Sequence, residues 1–192
     1  ELIEAAKTWS ERLREQLVQR HGEEEGNQLF HDWSDSFSFS YREDFPPARA
    51  IDDIARLARL HADRPVDFAV YHRPGDPADA VRLKIYTRER TVPLSRCMPM
   101  LEHAGFDVIS EHAYELSGPR AGSIYDFDLS WPHGAVDWDQ TRTLVEDLLN
   151  AVWLDRVADD RFNALVVPTG LDCRQVTVIR AYARYLRQLN VP

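Results

Sequence analysis

Val66-Asp67-Phe68-Ala69-Val70-Tyr71 and Val81-Arg82-Leu83-Lys84-Ile85-Tyr86-Thr87-Arg88 are the stretches on which the fold turns. In each, apolar residues hold alternate positions, and a period of two belongs to a strand, whose successive side chains point to opposite faces. Pro74-Gly75-Asp76-Pro77, between them, is a turn signal. The pair reads as two strands with Val66, Phe68, Val70, Val81, Leu83, Ile85 and Thr87 on the core face. Arg82, Lys84, Tyr86 and Arg88 then face water.

Downstream of Thr91–Pro93 the period lengthens. Leu94, Cys97, Met98 and Leu101 form a helical stripe that ends at Gly105, with Pro99 predicting either a kink or a first turn that is not α-helical. Two further strands follow. One runs over Val108–Leu116, with Val108, His112, Tyr114 and Leu116 on one face and His112 read as a hydrogen-bonded core residue. The other covers Ile124–Trp131, with Tyr125, Phe127, Leu129 and Trp131 inward and Asp126, Asp128 and Ser130 outward. Ser117–Gly122 joins them. Asp137 then caps a long helix, Gln140 closing its capping box, with an apolar band of Leu144, Val145, Leu148, Leu149, Val152 and Trp153. The order strand, strand, helix, strand, strand, helix predicts an α+β, ferredoxin-like fold: a four-stranded antiparallel sheet with two backing helices.

Helices flank this block. Trp9, Leu13, Leu17 and Val18 recur at helical spacing up to a break at His21-Gly22. A second helix from Glu23 carries Leu29, Phe30, Trp33 and Phe37 and is ended by the serines of 34–40. Pro46-Pro47 starts a third, with Ile51, Ile54, Leu57, Ala58 and His61, stopping before Pro65. Arg161–Val167 and Cys173–Leu189 read as two more, the last capped by Asp172. In it Arg180, Arg184 and Arg187 make a basic side, while Val176, Ile179, Tyr182, Ala183 and Leu186 supply the packing side. The expected organisation is a helical lead-in over 1–64, an α+β domain over 65–158 and a helical connector over 159–192.

A net charge of −9, with no long Lys/Arg cluster, argues against nucleic acid as a partner. No apolar run approaches the ~18 residues a membrane helix needs, and residues 1–10 lack a signal peptide's layout and a starting Met, as an excised fragment would. The two cysteines, Cys97 and Cys173, lie far apart and outside any CxxC pattern, which leaves a disulfide between them open but favours buried free thiols in a reducing, cytoplasmic compartment.

Dinucleotide binding needs a glycine-rich turn between strand and helix, so that backbone N–H groups meet the pyrophosphate. The eight glycines contain no such spacing and no phosphate loop. The seven histidines make no H-x-x-x-H pair, and no G-x-S-x-G elbow is present. Asp126 and Asp128, on one side of one strand, are a possible Mg²⁺-holding pair. The plainer reading is solvation on a wet face, with Arg82, Lys84 and Arg88 neutralising them across the sheet.

Tyr41-Arg42-Glu43-Asp44-Phe45-Pro46-Pro47-Ala48-Arg49-Ala50, Arg82–Tyr86, Pro99–Phe106 with Val108-Ile109, Ile124–Phe127, and Arg180-Ala181-Tyr182-Ala183-Arg184-Tyr185-Leu186-Arg187-Gln188 together resemble the large, multi-domain bacterial NAD-specific glutamate dehydrogenases. The resemblance covers nearly the whole chain. It implies an ACT-like module and its helical flanks, ahead of a catalytic domain outside these residues. It also implies a parent enzyme that is cytoplasmic and homo-oligomeric, and that converts L-glutamate to 2-oxoglutarate and ammonia with NAD. No catalytic, cofactor or metal position is carried over. ACT modules elsewhere often bind amino acids, which places any effector at the turn Arg88, Glu89, Arg90, Thr91 and Val92, although starting with two strands departs from the usual strand-helix opening.

The leading expectation is therefore a non-catalytic regulatory or oligomerisation segment, inactive alone, whose partners are other domains of the same polypeptide and further copies. The alternatives are a free-standing ACT-like protein- or amino-acid-binding module and a metal-dependent enzyme using Asp126 and Asp128. Continuation of the reading frame past Pro192 separates the first two.

Overall fold

The computed structural model describes residues 7–73, 75–77, 79–88, 91–134 and 136–189. Four helices open it: α1 (Trp9–His21), α2 (Glu23–Trp33), α3 (Phe39–Asp44) and α4 (Pro47–Leu57). Then come β1 (Val66–Tyr71), β2 (Ala80–Thr87), α5 (Leu94–His103), β3 (Asp107–Leu116), β4 (Gly122–Ser130) and α6 (Trp138–Trp153). A 3₁₀ turn at Arg161–Leu165, the short α7 (Val166–Thr169) and α8 (Cys173–Gln188) complete it. The strands are hydrogen-bonded in the order β1-β2-β4-β3.

That order gives the early hairpin its meaning. β2, α5 and β3 leave a gap between two strands, β4 fills it, and every neighbouring pair is antiparallel. Counted from β2, the chain reads β-α-β-β-α and would close with β1. This is the ferredoxin-like order with its start moved by one strand. The predicted four-stranded α+β fold is present.

By backbone contacts the chain divides into two compact units. The first takes the chain up to Asp67 with Tyr86–Thr91 and Ala113–Tyr125. Here α1 packs on α2 and α4. Thr8 and Glu11 form a reciprocal capping box at the start of α1, and Leu13 and Leu17 are its buried stripe. Gly26 of α2 is a point of close approach, because a Cβ there would lie 2.5 Å from Val18 Cα. Trp9, Phe37, Tyr41, Phe45 and Tyr114 form one aromatic cluster. Tyr41 and Phe45 belong to a short helix and its end that the diluting serines hid, with the Ser38 hydroxyl accepting from Tyr41 N–H to start it. The third expected helix ends at Leu57, well before Pro65.

The second unit holds Phe68–Ile85, Val92–His112 and the chain from Asp126 onward. Trp153 of α6 sets its ring against Phe68, and Glu146 accepts from Val70 N–H at 2.9 Å, occupying a backbone donor on the edge strand β1. Cys97, Met100 and Leu101 are the buried stripe of α5, which tolerates Pro99. Gly105 adopts φ +94° against Trp131, a conformation that favours glycine. Asp137 caps α6 by accepting from Asp139 and Gln140 N–H, and the Gln140 amide donates to the Asp137 carboxylate.

Three expectations about faces are overturned. The side of β2 expected in water is largely covered: Lys84 is 0% exposed and Tyr86 is buried. Their polar ends carry partners, which makes burial tolerable. His112 is exposed, not in the core, because it lies on the edge strand β3, of which only Tyr114 and Leu116 are buried. In α8 Val176 is buried and Arg184 and Arg187 are exposed, as expected, but other positions depart from the expected faces. Arg180 is buried at 4% exposure, while Ile179, Tyr182 and Leu186 are exposed. Asp160 accepts from Arg180 Nε at 2.8 Å, and Asn163 Oδ1 accepts from its Nη2 at 2.8 Å. Phe162 stacks beneath the guanidinium. A charge so fully bonded can be carried inward.

Candidate functional site

Of the expected effector turn, Arg88 and Thr91 are exposed and Val92 is buried; Glu89 and Arg90 lie outside the described residues. Beside the end of β2, β4 begins with Gly122, where a Cβ would stand 2.4 Å from the Thr87 carbonyl oxygen and 3.3 Å from Arg88 Cα. Only a bare Cα lets the strands approach so closely here. The turn thus offers a guanidinium and a hydroxyl next to a backbone that glycine keeps tight.

Asp126 is not the wet carboxylate the alternation suggests, whereas Asp128 keeps 38% of its side chain exposed. Asp126 is buried, accepts from the Tyr71 hydroxyl at 2.6 Å and pairs with Arg73 Nη2 at 3.0 Å. The Lys84 ammonium lies 5.6 Å from the centre of the Tyr71 ring. Burial raises the Asp126 carboxyl, opposed by the Tyr71 hydrogen bond and the charges of Lys84 and Arg73. Burial, reinforced by the Asp126 charge, raises the Tyr71 hydroxyl.

Asp128 accepts from Arg82 and from Ser110 Oγ, the latter at 2.8 Å. The same Arg82 donates from Nε and Nη2 to Asp76, at 3.0 and 3.1 Å, and its hydrogen bond holds Asp76 below the usual carboxylate range. The cross-strand neutralisation expected of Arg82 is what the geometry provides. A cation at this pair would have to displace arginine donors. Among the described residues no group of three or more His, Cys, Asp or Glu is placed to hold a metal ion.

One polar constellation escaped the sequence reading. Asp53 of α4, itself buried, accepts from the Tyr86 hydroxyl at 2.8 Å and from the Tyr41 hydroxyl. Burial, and then the Asp53 charge, pushes the Tyr41 hydroxyl well above the usual range. The available signal was spacing: Asp53 stands three residues after Ala50 and four before Leu57, on the apolar stripe of its helix.

Cys97 is buried and Cys173 half-buried, both free thiols, and burial pushes the Cys97 thiol up to about 12. Such a thiol is packing, not a nucleophile. No helix among the described residues is long and apolar enough to cross a membrane.

These features define an ACT-like α+β module, in which the Tyr86–Asp53 bond ties β2 to α4 and the Arg73–Asp126 and Arg82–Asp128 pairs brace the sheet itself. Comparison with known families agrees, segment by segment. Residues 16–60 match the model for glutamate dehydrogenase helical motif 2, residues 65–141 that for the glutamate dehydrogenase ACT3 domain, and residues 157–192 that for helical motif 3. The chain carries the ACT3 region, with its flanking helical motifs, of the NAD-specific glutamate dehydrogenase family. It is 33% identical over 192 residues to the NAD-specific glutamate dehydrogenase of Halomonas elongata, covering 98% of this chain. Identities to the enzymes of that name from Pseudomonas aeruginosa and Mycobacterium tuberculosis are 30% and 32%, each covering 100% of the chain. The chain spans 12% of the length of each of these relatives.

Proposed function

We propose that this chain is a non-catalytic regulatory and assembly segment of an NAD-dependent glutamate dehydrogenase. The observation that carries the reading is the run of three matched segments, helical motif, ACT3 domain and helical motif, within so small a share of each relative. In this reading the whole protein oxidises L-glutamate with NAD to 2-oxoglutarate, ammonia and NADH in the cytoplasm, as a homo-oligomer. These residues hold and adjust the parts that do so. The free thiols fit a reducing compartment, and the glycine spacing, without a dinucleotide fingerprint, fits a segment with no redox step of its own.

Purified chain mixed with glutamate and NAD is expected to form no NADH. NADH formation, or tight NAD binding to this chain, overturns the reading. An amino-acid effector, if the assembly has one, would meet Arg88 and Thr91. Titration calorimetry with the common amino acids, repeated on Arg88→Ala, tests that part, and a flat response to all of them leaves assembly as the sole role.

A further inference from the structure

We draw no further inference here: the strongest candidate, the exposed apolar face of α8 formed by Val178, Tyr182, Tyr185 and Leu189, carries none, because nothing in the structure shows what covers it.

Discussion

The hydroxyl of Tyr86, on β2, donates to Asp53 Oδ1, on α4, at 2.8 Å, and both residues are buried. A carboxylate there persists because donors meet it, and Tyr41 supplies another. Removing one leaves a buried charge less satisfied, at a cost of about 1–3 kcal/mol. Tyr86→Phe is therefore expected to lower the unfolding free energy by about that amount, and Tyr41→Phe/Tyr86→Phe by more than either change alone. Urea denaturation measures both, and an unmoved midpoint in Tyr86→Phe would show that the bond carries no stability.

Arg180 and Arg184 look interchangeable on a helical wheel, but the structure separates them. Arg180 is bonded to Asp160 and Asn163 and buried, whereas Arg184 stands 3.9 Å from Asp160 and is largely exposed. Arg180→Ala should destabilise by about 2–3 kcal/mol, and Arg184→Ala by less than about 0.5 kcal/mol. Thermal melts of the two variants side by side test this separation, and equal losses would contradict it.

Gly26 sets two effects against each other. Inside a helix, alanine is favoured over glycine by about 1 kcal/mol. At this position, however, the added carbon would meet Val18 Cα at 2.5 Å and Leu17 carbonyl carbon at 2.8 Å, backbone atoms that cannot swing aside. Overpacking of this kind costs about 1–3 kcal/mol. Gly26→Ala should therefore come out destabilised in urea denaturation, and a stabilised variant would mean that α1 and α2 are not so closely apposed.

Two aspartates should respond oppositely to pH. Asp76 is depressed by the Arg82 hydrogen bond, so its contribution is present above the unfolded value of about 3.9 and is lost as pH falls through the lower folded value. Asp126 is raised, chiefly by burial, so its contribution is present below the unfolded value and is lost as pH rises through the folded one. Asp76→Asn should flatten the loss of melting temperature in acid. Asp126→Asn should remove a loss that accompanies rising pH. Melting temperatures across pH 2.5–7 give both signs, and matching slopes in the two variants would contradict the assignment.

Much of the architecture was legible because it is local. Alternation marks β1 and β2, capping residues mark the starts of α6 and α8, and glycine at 105 marks the end of α5. Each signal arises from backbone geometry within a few residues. The short helix holding Tyr41 was missed because serines diluted its apolar spacing. Of the site candidates, Arg82 was read with its cross-strand role. The Asp53 clamp was not read, since a lone carboxylate on an apolar stripe gives no hint of which hydroxyls will reach it.

The order of amino acids determined by itself which segments form strands and helices, and that each has two chemically different sides. Only the tertiary structure decided which side goes inward. Lys84, Asp126 and Arg180 are polar by sequence and buried by arrangement, because donors and acceptors from distant segments offset the loss of water. Tyr182 and Leu186 are apolar by sequence and exposed by arrangement, because the opposite side of α8 found the better-matched partners. A helix can satisfy one neighbour at a time, and which neighbour arrives is a property of the folded chain.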